Sequence, residues 1–353
     1  MSKHRVAVFA GDGIGPAVTA EAMKVLDAVA ALHSFEVECK EYPHGSEHYL
    51  ETGELVPDEV FDEIRGFDAI YLGAIGDPRC EVGLVERAVI AGIRFKLDLF
   101  VNLRPIRLLS EKFCPLKGKG PDDIDFVVVR ENTEDAYAGI GGILKKGTPW
   151  EVAVQSMVYT RHGVERVVRF AYQLCRKRNK KKRLMLVDKA NAIRAQEIWT
   201  RVFKEVGEEF PDIEQDHSYV DAACMWMVKN PESFDTVVTT NLFGDIITDL
   251  GAVLQGGMGV AASGNIHPGK VSMFESIHGS APKYKGLNKA CPIAAIVAVQ
   301  MMLDHLGEES AAARIEASVA SVLNRDSVTS VDASSGIATD EWGAMIVEEM
   351  RSR

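Results

Sequence analysis

Short apolar runs alternate with longer amphipathic stretches along the whole chain. The apolar runs of strand length are residues 5–10, 67–72, 126–129, 184–187 and 236–239. After the first run and a glycine turn, residues 16–31 have helical spacing, as do residues 301–306 and 311–323 near the C-terminus. Continuous apolar strands separated by helices are typical of mostly parallel sheets covered by helices. The pattern therefore predicts an α/β fold.

Composition and charge narrow the class of protein. The 353 residues are enough for two domains with their own cores, and the net charge of −11 argues against nucleic acid and membranes as partners. No apolar run is long enough to span a bilayer, and the N-terminus enters the first strand without a signal-peptide core. The six cysteines are scattered, without a CxxC pair. We therefore expect a cytoplasmic protein with reduced thiols.

Two segments carry candidate chemistry. Residues 241–249 contain Asp245 and Asp249, whose four-residue spacing places both carboxylates on one face of a helix. Such a pair suits a hard divalent cation that keeps positions for substrate oxygens. Residues 188–191 contain Lys189, and a lysine that loses its solvation is a candidate general base. Together the segments predict metal-assisted chemistry on an oxygen-rich small molecule.

Three arginines, Arg94, Arg104 and Arg130, each lie beside strongly apolar sequence. An arginine next to a buried strand is rarely unpaired. The three could bind two substrate carboxylates bidentately, or they could form three separate structural ion pairs. The lysine and the paired carboxylates favour the substrate-binding interpretation.

Three other polar segments differ in what they predict. Residues 11–16 form a glycine turn whose third glycine comes too early for a dinucleotide fingerprint, so we interpret it as a tight strand-to-helix turn. Residues 275–284 combine small residues, a histidine and a lysine, and are a better candidate for anion binding. The basic run at residues 176–183 follows a helical pattern and is typical of a solvated helix end.

Five segments, in this order, resemble the β-decarboxylating dehydrogenases, which comprise isopropylmalate, isocitrate, homoisocitrate, D-malate and tartrate dehydrogenases. They are Asn-Leu-Arg-Pro at 102–105, Arg-Glu-Asn-Thr-Glu at 130–134, Asp-Lys-Ala-Asn at 188–191, Asn-Leu-Phe-Gly-Asp at 241–245 and His-Gly-Ser-Ala-Pro at 278–282. The resemblance implies the two-domain fold of this family, with parallel or mixed sheets covered by helices, and not a Rossmann fold. Residues 1–99 and 255–353 would form a coenzyme domain with both termini. Residues 100–254 would form a central domain for the substrate and for dimerisation.

The resemblance also implies a shared active site in a homodimer or a higher homo-oligomer. Asp245 and Asp249, with Asp221 of the partner subunit, would bind Mg²⁺ or Mn²⁺. Lys189 of the partner subunit would take the proton from the substrate C2 hydroxyl, and Tyr137 would protonate the enolate at C3. Hydride would pass to the nicotinamide. The three arginines would hold the carboxylates of a small hydroxy-diacid.

A nicotinamide coenzyme, NAD or NADP, is implied at a further set of residues. These are Asn241, Glu275, His278, Gly279, Ser280, Ala281, Lys283, Tyr284 and Cys291. Lys283 stands where NAD-using members carry an aspartate, and a lysine pairs with a 2′-phosphate but cannot accept from the ribose hydroxyl. This favours NADP slightly. Cys291 replaces the asparagine that contacts the adenine in the family.

The segment before Arg94 bears on the substrate. Isocitrate enzymes carry polar residues there for a third carboxylate, whereas this chain has Ala88, Ile90 and Ala91. The apolar pocket favours a 3-substituted malate such as 3-isopropylmalate. The alternatives are D-malate or tartrate, homoisocitrate, and a non-catalytic regulatory paralogue.

Overall fold

The structure is a computed structural model that describes residues 2–353. These residues form twelve strands and twelve α-helices. The strands are β1 (Lys3–Phe9), β2 (Glu36–Glu41), β3 (Ala69–Leu72), β4 (Val101–Arg107), β5 (Asp125–Glu131), β6 (Gly141–Leu144), β7 (Val152–Gln155), β8 (Arg183–Asp188), β9 (Glu214–Tyr219), β10 (Thr236–Thr239), β11 (Ala262–Ile266) and β12 (Ser272–Ser276). The helices are α1 (Gly15–His33), α2 (Ser46–Thr52), α3 (Asp58–Ile64), α4 (Leu84–Glu86), α5 (Gly92–Lys96), α6 (Arg161–Arg178), α7 (Glu197–Gly207), α8 (Val220–Lys229), α9 (Asn241–Leu254), α10 (Ile293–His305), α11 (Glu309–Leu323) and α12 (Thr339–Ser352).

The chain divides into two compact units. The first contains the described residues through Leu99, together with Pro105–Ile124 and Ala252–Arg353, and the second contains Phe100–Arg104 and Asp125–Gly251. The sequence analysis assigned all of residues 100–254 to the central domain, whereas residues 105–124 pack in the first unit. The reason is a set of polar contacts, since Ser110 Oγ donates to Asn324 Oδ1 at 2.9 Å and Lys112 Nζ donates to the Arg325 carbonyl at 2.8 Å. The functions of the two domains stay predictions.

The first unit is a mixed sheet with helices packed on it. Its strand order is β2-β1-β3-β12-β11, in which β1 runs parallel to β2 and β3, β3 runs parallel to β12, and β11 is antiparallel to β12. Phe9, Ile70, Leu72 and Met273 are fully buried in one core cluster. Strands buried in this way need apolar residues at every position, which explains the continuous runs in the sequence.

The second unit is built on a mainly parallel sheet. Its strands follow the order β4-β5-β10-β8-β9, and β10 is parallel to both β5 and β8. The five predicted strands are all present, within a few residues of the predicted bounds. The helix predicted at 16–31 is α1, the segment 311–323 lies in α11, and residues 301–306 cover the end of the longer helix α10. The predicted α/β class is confirmed.

The glycine turn after β1 is explained by close packing. Gly11 and Gly13 have φ values of +80° and +59°, and a Cβ on Gly13 would lie 2.0 Å from the Ser280 carbonyl oxygen. Asp12 is buried between them and accepts hydrogen bonds from the backbone N–H and the hydroxyl of Ser46, both at 2.7 Å. These contacts support the interpretation of the turn as a structural element.

Four cations of the basic run at residues 176–183 pair with neighbouring acids. Arg176 pairs with Asp212, Arg178 with Asp125 and Asp235, Lys180 with Asp125, and Arg183 with Glu214 and Asp216. Cations that already pair with carboxylates are poorly placed to bind a polyanion. None of the helices in residues 2–353 is both long and apolar enough to cross a membrane.

Candidate active site

Helix α9 begins two residues after β10 and carries the two predicted carboxylates one turn apart. The side chains of Asp245 and Asp249 are 39% and 52% exposed, so both are accessible to a ligand. Partial burial raises the pKa of the Asp249 carboxyl, and the neighbouring Asp245 raises it further, while Arg104 and Arg130 oppose both effects. Two carboxylates held this close favour a cation between them.

Arg130 and Arg104 both reach these carboxylates. Arg130, at the end of β5, is 1% exposed, and its Nη1 donates to Asp245 Oδ1 at 2.5 Å. The Arg104 guanidinium lies 3.5 Å from Asp245 Oδ1 and 3.6 Å from Asp249 Oδ1. Arg104 is held by Thr248, whose hydroxyl accepts from Nη1 at 2.7 Å. Two of the three predicted arginines therefore share one anionic cluster with the predicted metal ligands.

Tyr137 joins the same cluster. Its hydroxyl donates to Asp245 Oδ2 at 2.7 Å, and the Arg130 guanidinium carbon lies 5.3 Å from the centre of its ring. The tyrosine belongs to a 3₁₀ turn, Asp135–Ala138, that contains the buried Asp135. Asp135 accepts from the Leu242 backbone N–H at 2.9 Å, which fixes the turn against the start of α9. Tyr137 is 43% exposed, so its hydroxyl is accessible to a substrate.

Lys189 and Asp221 form a second cluster. Lys189 follows the end of β8, and its Nζ pairs with a carboxylate oxygen of Asp221 at the start of α8. This hydrogen bond holds the pKa of the Asp221 carboxyl below its usual value. Asp188, which is fully buried, lies 3.1 Å from His217 Nε2 and accepts from the Ala190 backbone N–H at 3.0 Å. These contacts fix the backbone on both sides of the lysine.

Asp245 and Asp249 supply two of the three predicted metal ligands. Residues 2–353 contain no group of three or more His, Cys, Asp or Glu side chains placed to hold a metal ion. One chain therefore does not bring Asp221 to the other two aspartates. The carboxylate oxygens of Asp245 and Asp249 and their exposure fit Mg²⁺ or Mn²⁺.

In the first unit, Arg94 pairs with a buried carboxylate. Its Nη2 donates to Glu275 Oε1 at 2.8 Å, and Asn265 Nδ2 donates to the same oxygen at 2.7 Å. The preceding segment, Arg87–Ala91, is a π-helical turn, a form that recurs at functional sites. It leaves Ile90 and Ala91 half-buried, and Ile90 packs against the core cluster.

The predicted coenzyme segment is a tight turn at the end of β12. The Nε2 atom of His278 is buried without a hydrogen-bond partner among residues 2–353, and burial lowers the pKa of this imidazole. Ala281 has a φ of +40°, and the exposed Lys283 lies with its Nζ 4.8 Å from the Tyr284 ring centre. A buried polar atom without a partner, beside an exposed cation, fits the binding of an anionic coenzyme.

Cys291, like Asn241, Glu275 and Ser280 among the predicted coenzyme residues, is buried. Burial raises the pKa of its thiol to about 12. The thiol is therefore un-ionised, and it can contact a ligand only weakly as a hydrogen-bond donor.

The family model for isocitrate/isopropylmalate dehydrogenase matches residues 5–346. The chain belongs to this family. It is an enzyme, a nicotinamide-dependent β-decarboxylating dehydrogenase, as the sequence motifs predicted. The family implies a divalent metal as well.

Curated relatives of this dehydrogenase extend over most of its length. The 3-isopropylmalate dehydrogenase of Thermobifida fusca is 52% identical over 322 residues, which cover 90% of this chain and 91% of the relative. The 3-isopropylmalate dehydrogenase of Streptomyces griseus is 46% identical over 350 residues, or 98% of both chains.

Solved structures confirm the predicted fold of the family. The isocitrate dehydrogenase from Methylococcus capsulatus has a TM-score of 0.88 at 35% identity and covers 99% of both chains. A β-decarboxylating dehydrogenase from Thermococcus kodakarensis has a TM-score of 0.80 at 34% identity, covering 99% of this chain and 96% of that one.

The structure brings only some of the predicted catalytic and binding residues into contact within one unit. Arg104, Arg130, Tyr137, Asp245 and Asp249 share one cluster, whereas Lys189 and Asp221 form another. The sequence analysis missed three buried or half-buried polar residues that orient this machinery. They are Asn102, which accepts from Arg104, Thr248, which also accepts from Arg104, and Asp135, which fixes the Tyr137 turn.

Proposed function

We propose that this dehydrogenase oxidises and decarboxylates a 3-substituted malate of the 3-isopropylmalate type, a (2R,3S)-2-hydroxy diacid. The observation that carries this proposal is the apolar turn before Arg94, where Ile90 and Ala91 are half-buried and offer no charge to a third carboxylate. A carboxylate facing these side chains would lose its solvation without a partner. The relatives named 3-isopropylmalate dehydrogenase, at about half identity, support the same substrate.

The proposed roles combine the family resemblance with the chemistry of the side chains. Arg94, Arg104 and Arg130 hold the substrate carboxylates through charge-assisted hydrogen bonds. A divalent cation on Asp245 and Asp249 supplies a Lewis acid when bound, and the nicotinamide supplies a hydride acceptor. Oxidation at C2 and loss of the β-carboxylate as carbon dioxide leave two proton transfers for the side chains of the enzyme.

Lys189 takes the proton from the C2 hydroxyl, and Tyr137 gives a proton to C3 after carbon dioxide has left. Tyr137 suits this role because its hydroxyl already points at the carboxylate that would hold the cation.

We further propose that Lys189 and Asp221 act in the site of a second subunit. The support is an apolar surface on the same unit, which a monomer would leave in water. Helix α8 exposes Met225, Trp226 and Val228, and α9 exposes Ile246. A two-fold dimer that covers these helices would present Asp221, on α8, to the carboxylates of α9 in the partner.

The proposal is tested by formation of reduced coenzyme in the presence of Mn²⁺. NAD and NADP are each combined with 3-isopropylmalate, D-malate, tartrate, isocitrate and homoisocitrate. We expect the largest kcat/KM with 3-isopropylmalate. A preference for D-malate or tartrate would contradict the proposed substrate, and no activity with any substrate would favour the non-catalytic alternative.

The size of the pocket gives a separate prediction. Ala91→Leu adds three carbons at a half-buried position, so it will lower kcat/KM for 3-isopropylmalate by about tenfold or more while changing kcat/KM for D-malate little. D-malate is the internal control, because it lacks the 3-substituent. An equal loss on both substrates would mean that Ala91 does not line a pocket for that substituent.

The coenzyme is proposed to be NADP, with NAD as the alternative. Lys283 is exposed beside Tyr284, and a cation there would pair with a 2′-phosphate. Lys283→Asp will therefore raise the ratio of kcat/KM with NAD to that with NADP by about tenfold or more. The exposed Lys270 provides a matched control, since Lys270→Asp makes the same charge change at another turn of the same unit. If both variants leave the ratio unchanged, Lys283 does not select the coenzyme.

A further inference from the structure

Arg130 is a fully buried cation that donates two hydrogen bonds to one amide. Its Nε and Nη2 donate to the same oxygen, Asn241 Oδ1, at 2.9 and 2.7 Å. Asn241 is 2% exposed, and its Nδ2 donates to the Glu134 carbonyl at 3.2 Å. Since the guanidinium only donates and the carbonyl only accepts, these contacts leave one orientation for the amide. Both the oxygen and the nitrogen of the Asn241 amide therefore have hydrogen-bond partners.

Gly244 makes room for the same arginine. A Cβ at this position would lie 2.4 Å from Arg130 Cγ and 2.7 Å from its Cβ. Residues 241, 244 and 245 fall on one face in the first turns of α9, and all three contact Arg130. The Asn-Leu-Phe-Gly-Asp segment thus forms a cradle around the Arg130 side chain. Asn241 supplies an acceptor, Gly244 leaves space where a Cβ would clash, and Asp245 supplies a carboxylate.

The cradle sets the direction of the guanidinium. With Nε and Nη2 bound to one oxygen, the plane of the group is fixed and Nη1 points at Asp245. An arginine that binds a carboxylate bidentately works only in a defined orientation, and an error of an ångström weakens it.

We propose that Asn241 and Gly244 are positioning residues for Arg130, and that Asn241 serves substrate binding and not coenzyme binding. This inference rests on the proposed function, in which Arg130 holds a substrate carboxylate. It assigns to Asn241 a role different from the coenzyme contact that the resemblance implied.

The test measures the two ligands separately. In Asn241→Ala, KM for the diacid will rise by about tenfold or more, because hydrogen bonds to a charged group are lost, while the dissociation constant of reduced coenzyme, followed by its fluorescence, will not change. Asn324→Ala is the control, since that amide also makes several hydrogen bonds but belongs to the first unit. A rise in the coenzyme dissociation constant without a rise in KM would overturn the proposal.

Coupling to Arg130 distinguishes positioning from a general structural role. If Asn241 acts through the arginine, the double variant Asn241→Ala/Arg130→Lys will bind the diacid no worse than Arg130→Lys alone. Additive losses would overturn the proposal. If Asn241→Ala does not fold, Asn241→Leu, which nearly keeps the shape of the side chain but lacks the acceptor oxygen, is measured instead, with the same expected pattern of a raised diacid KM and unchanged coenzyme binding.

One readout does not depend on the proposed function. Phenylglyoxal modifies accessible arginines, and its reaction at Arg130 can be followed by mass spectrometry of the peptide without substrate. We expect faster modification of Arg130 in Asn241→Ala than in the wild type, with Arg178 unchanged as the internal reference. An unchanged rate of modification at Arg130 in Asn241→Ala would refute the proposed positioning role. If instead Arg130 is modified faster in the variant but the wild-type enzyme is inactive on every diacid, only the proposed function is refuted.

Discussion

Replacing Lys189 with methionine will lower kcat by about 10²- to 10⁴-fold, the range that a positioned general base supplies. Methionine keeps the length and much of the volume of the lysine but cannot accept or donate a proton. The Lys189 side chain is 26% exposed and its Nζ contacts the Asp221 carboxylate, so its loss leaves little of the core unfilled. Reduced-coenzyme formation at saturating substrate measures kcat directly.

The control for this variant is Lys204→Met. Lys204 lies exposed on α7 in the same unit, so the same chemical change there removes a charge without touching the proposed base. Both variants are also compared by thermal unfolding, and we expect similar midpoints. A Lys189→Met enzyme with wild-type kcat would show that another group takes the C2 proton.

The spacing of residues within one element was enough to predict part of this site. Asp245 and Asp249 lie four apart, and a helix turns that spacing into one face whatever else the chain does. The structure places both on α9, one turn apart. The apolar strands were predictable for the same reason, because burial on both faces leaves a continuous run that can be read locally.

The partners of the arginines could not be predicted from the sequence. Arg130 pairs with a carboxylate 115 residues away, and Arg94 with one 181 residues away. Nothing local distinguishes a structural ion pair from a substrate contact, and the sequence analysis favoured substrate binding only because of the lysine and the paired carboxylates. In the structure the carboxylate partners of the two arginines differ in exposure. Asp245 is 39% exposed and accessible, whereas Glu275 is 7% exposed and its oxygen also accepts from Asn265.

The residues that orient the catalytic side chains could not be predicted from the sequence for a related reason. Asn102, Thr248 and Asp135 act through hydrogen bonds to other side chains or to the backbone of α9, and a single asparagine, threonine or aspartate has no pattern that predicts such a contact. Asn241 lay in a recognisable motif, yet its partner, Arg130, is fixed only by the fold. Sequence motifs therefore identify which residues carry the chemistry of this enzyme, and only the tertiary structure shows which side chains pair with one another.

The proposed shared site predicts the second large effect, which is that two inactive variants will restore activity when their subunits mix. Asp245→Asn alone will abolish most activity, because it weakens the proposed cation site and the Arg130 contact together. Lys189→Met alone is also inactive. In a mixed dimer, however, one site combines an intact Asp245 with the intact Lys189 of the partner subunit.

Random pairing of the two variants in equal amounts should recover about a quarter of wild-type activity, since half of the dimers are mixed and each has one intact site. The matched control mixes Lys189→Met with Asp221→Asn. Both changes affect residues that one subunit is proposed to contribute to the site of its partner, so every site receives one altered residue and activity stays low. If Lys189 instead serves its own chain, no site in the first mixture contains both intact groups, and activity will not exceed that of the parents. The result therefore distinguishes a site built within one subunit from a site that forms only in the dimer. In the second case, one association of subunits would both cover the apolar helices and bring Lys189 into the site of the partner.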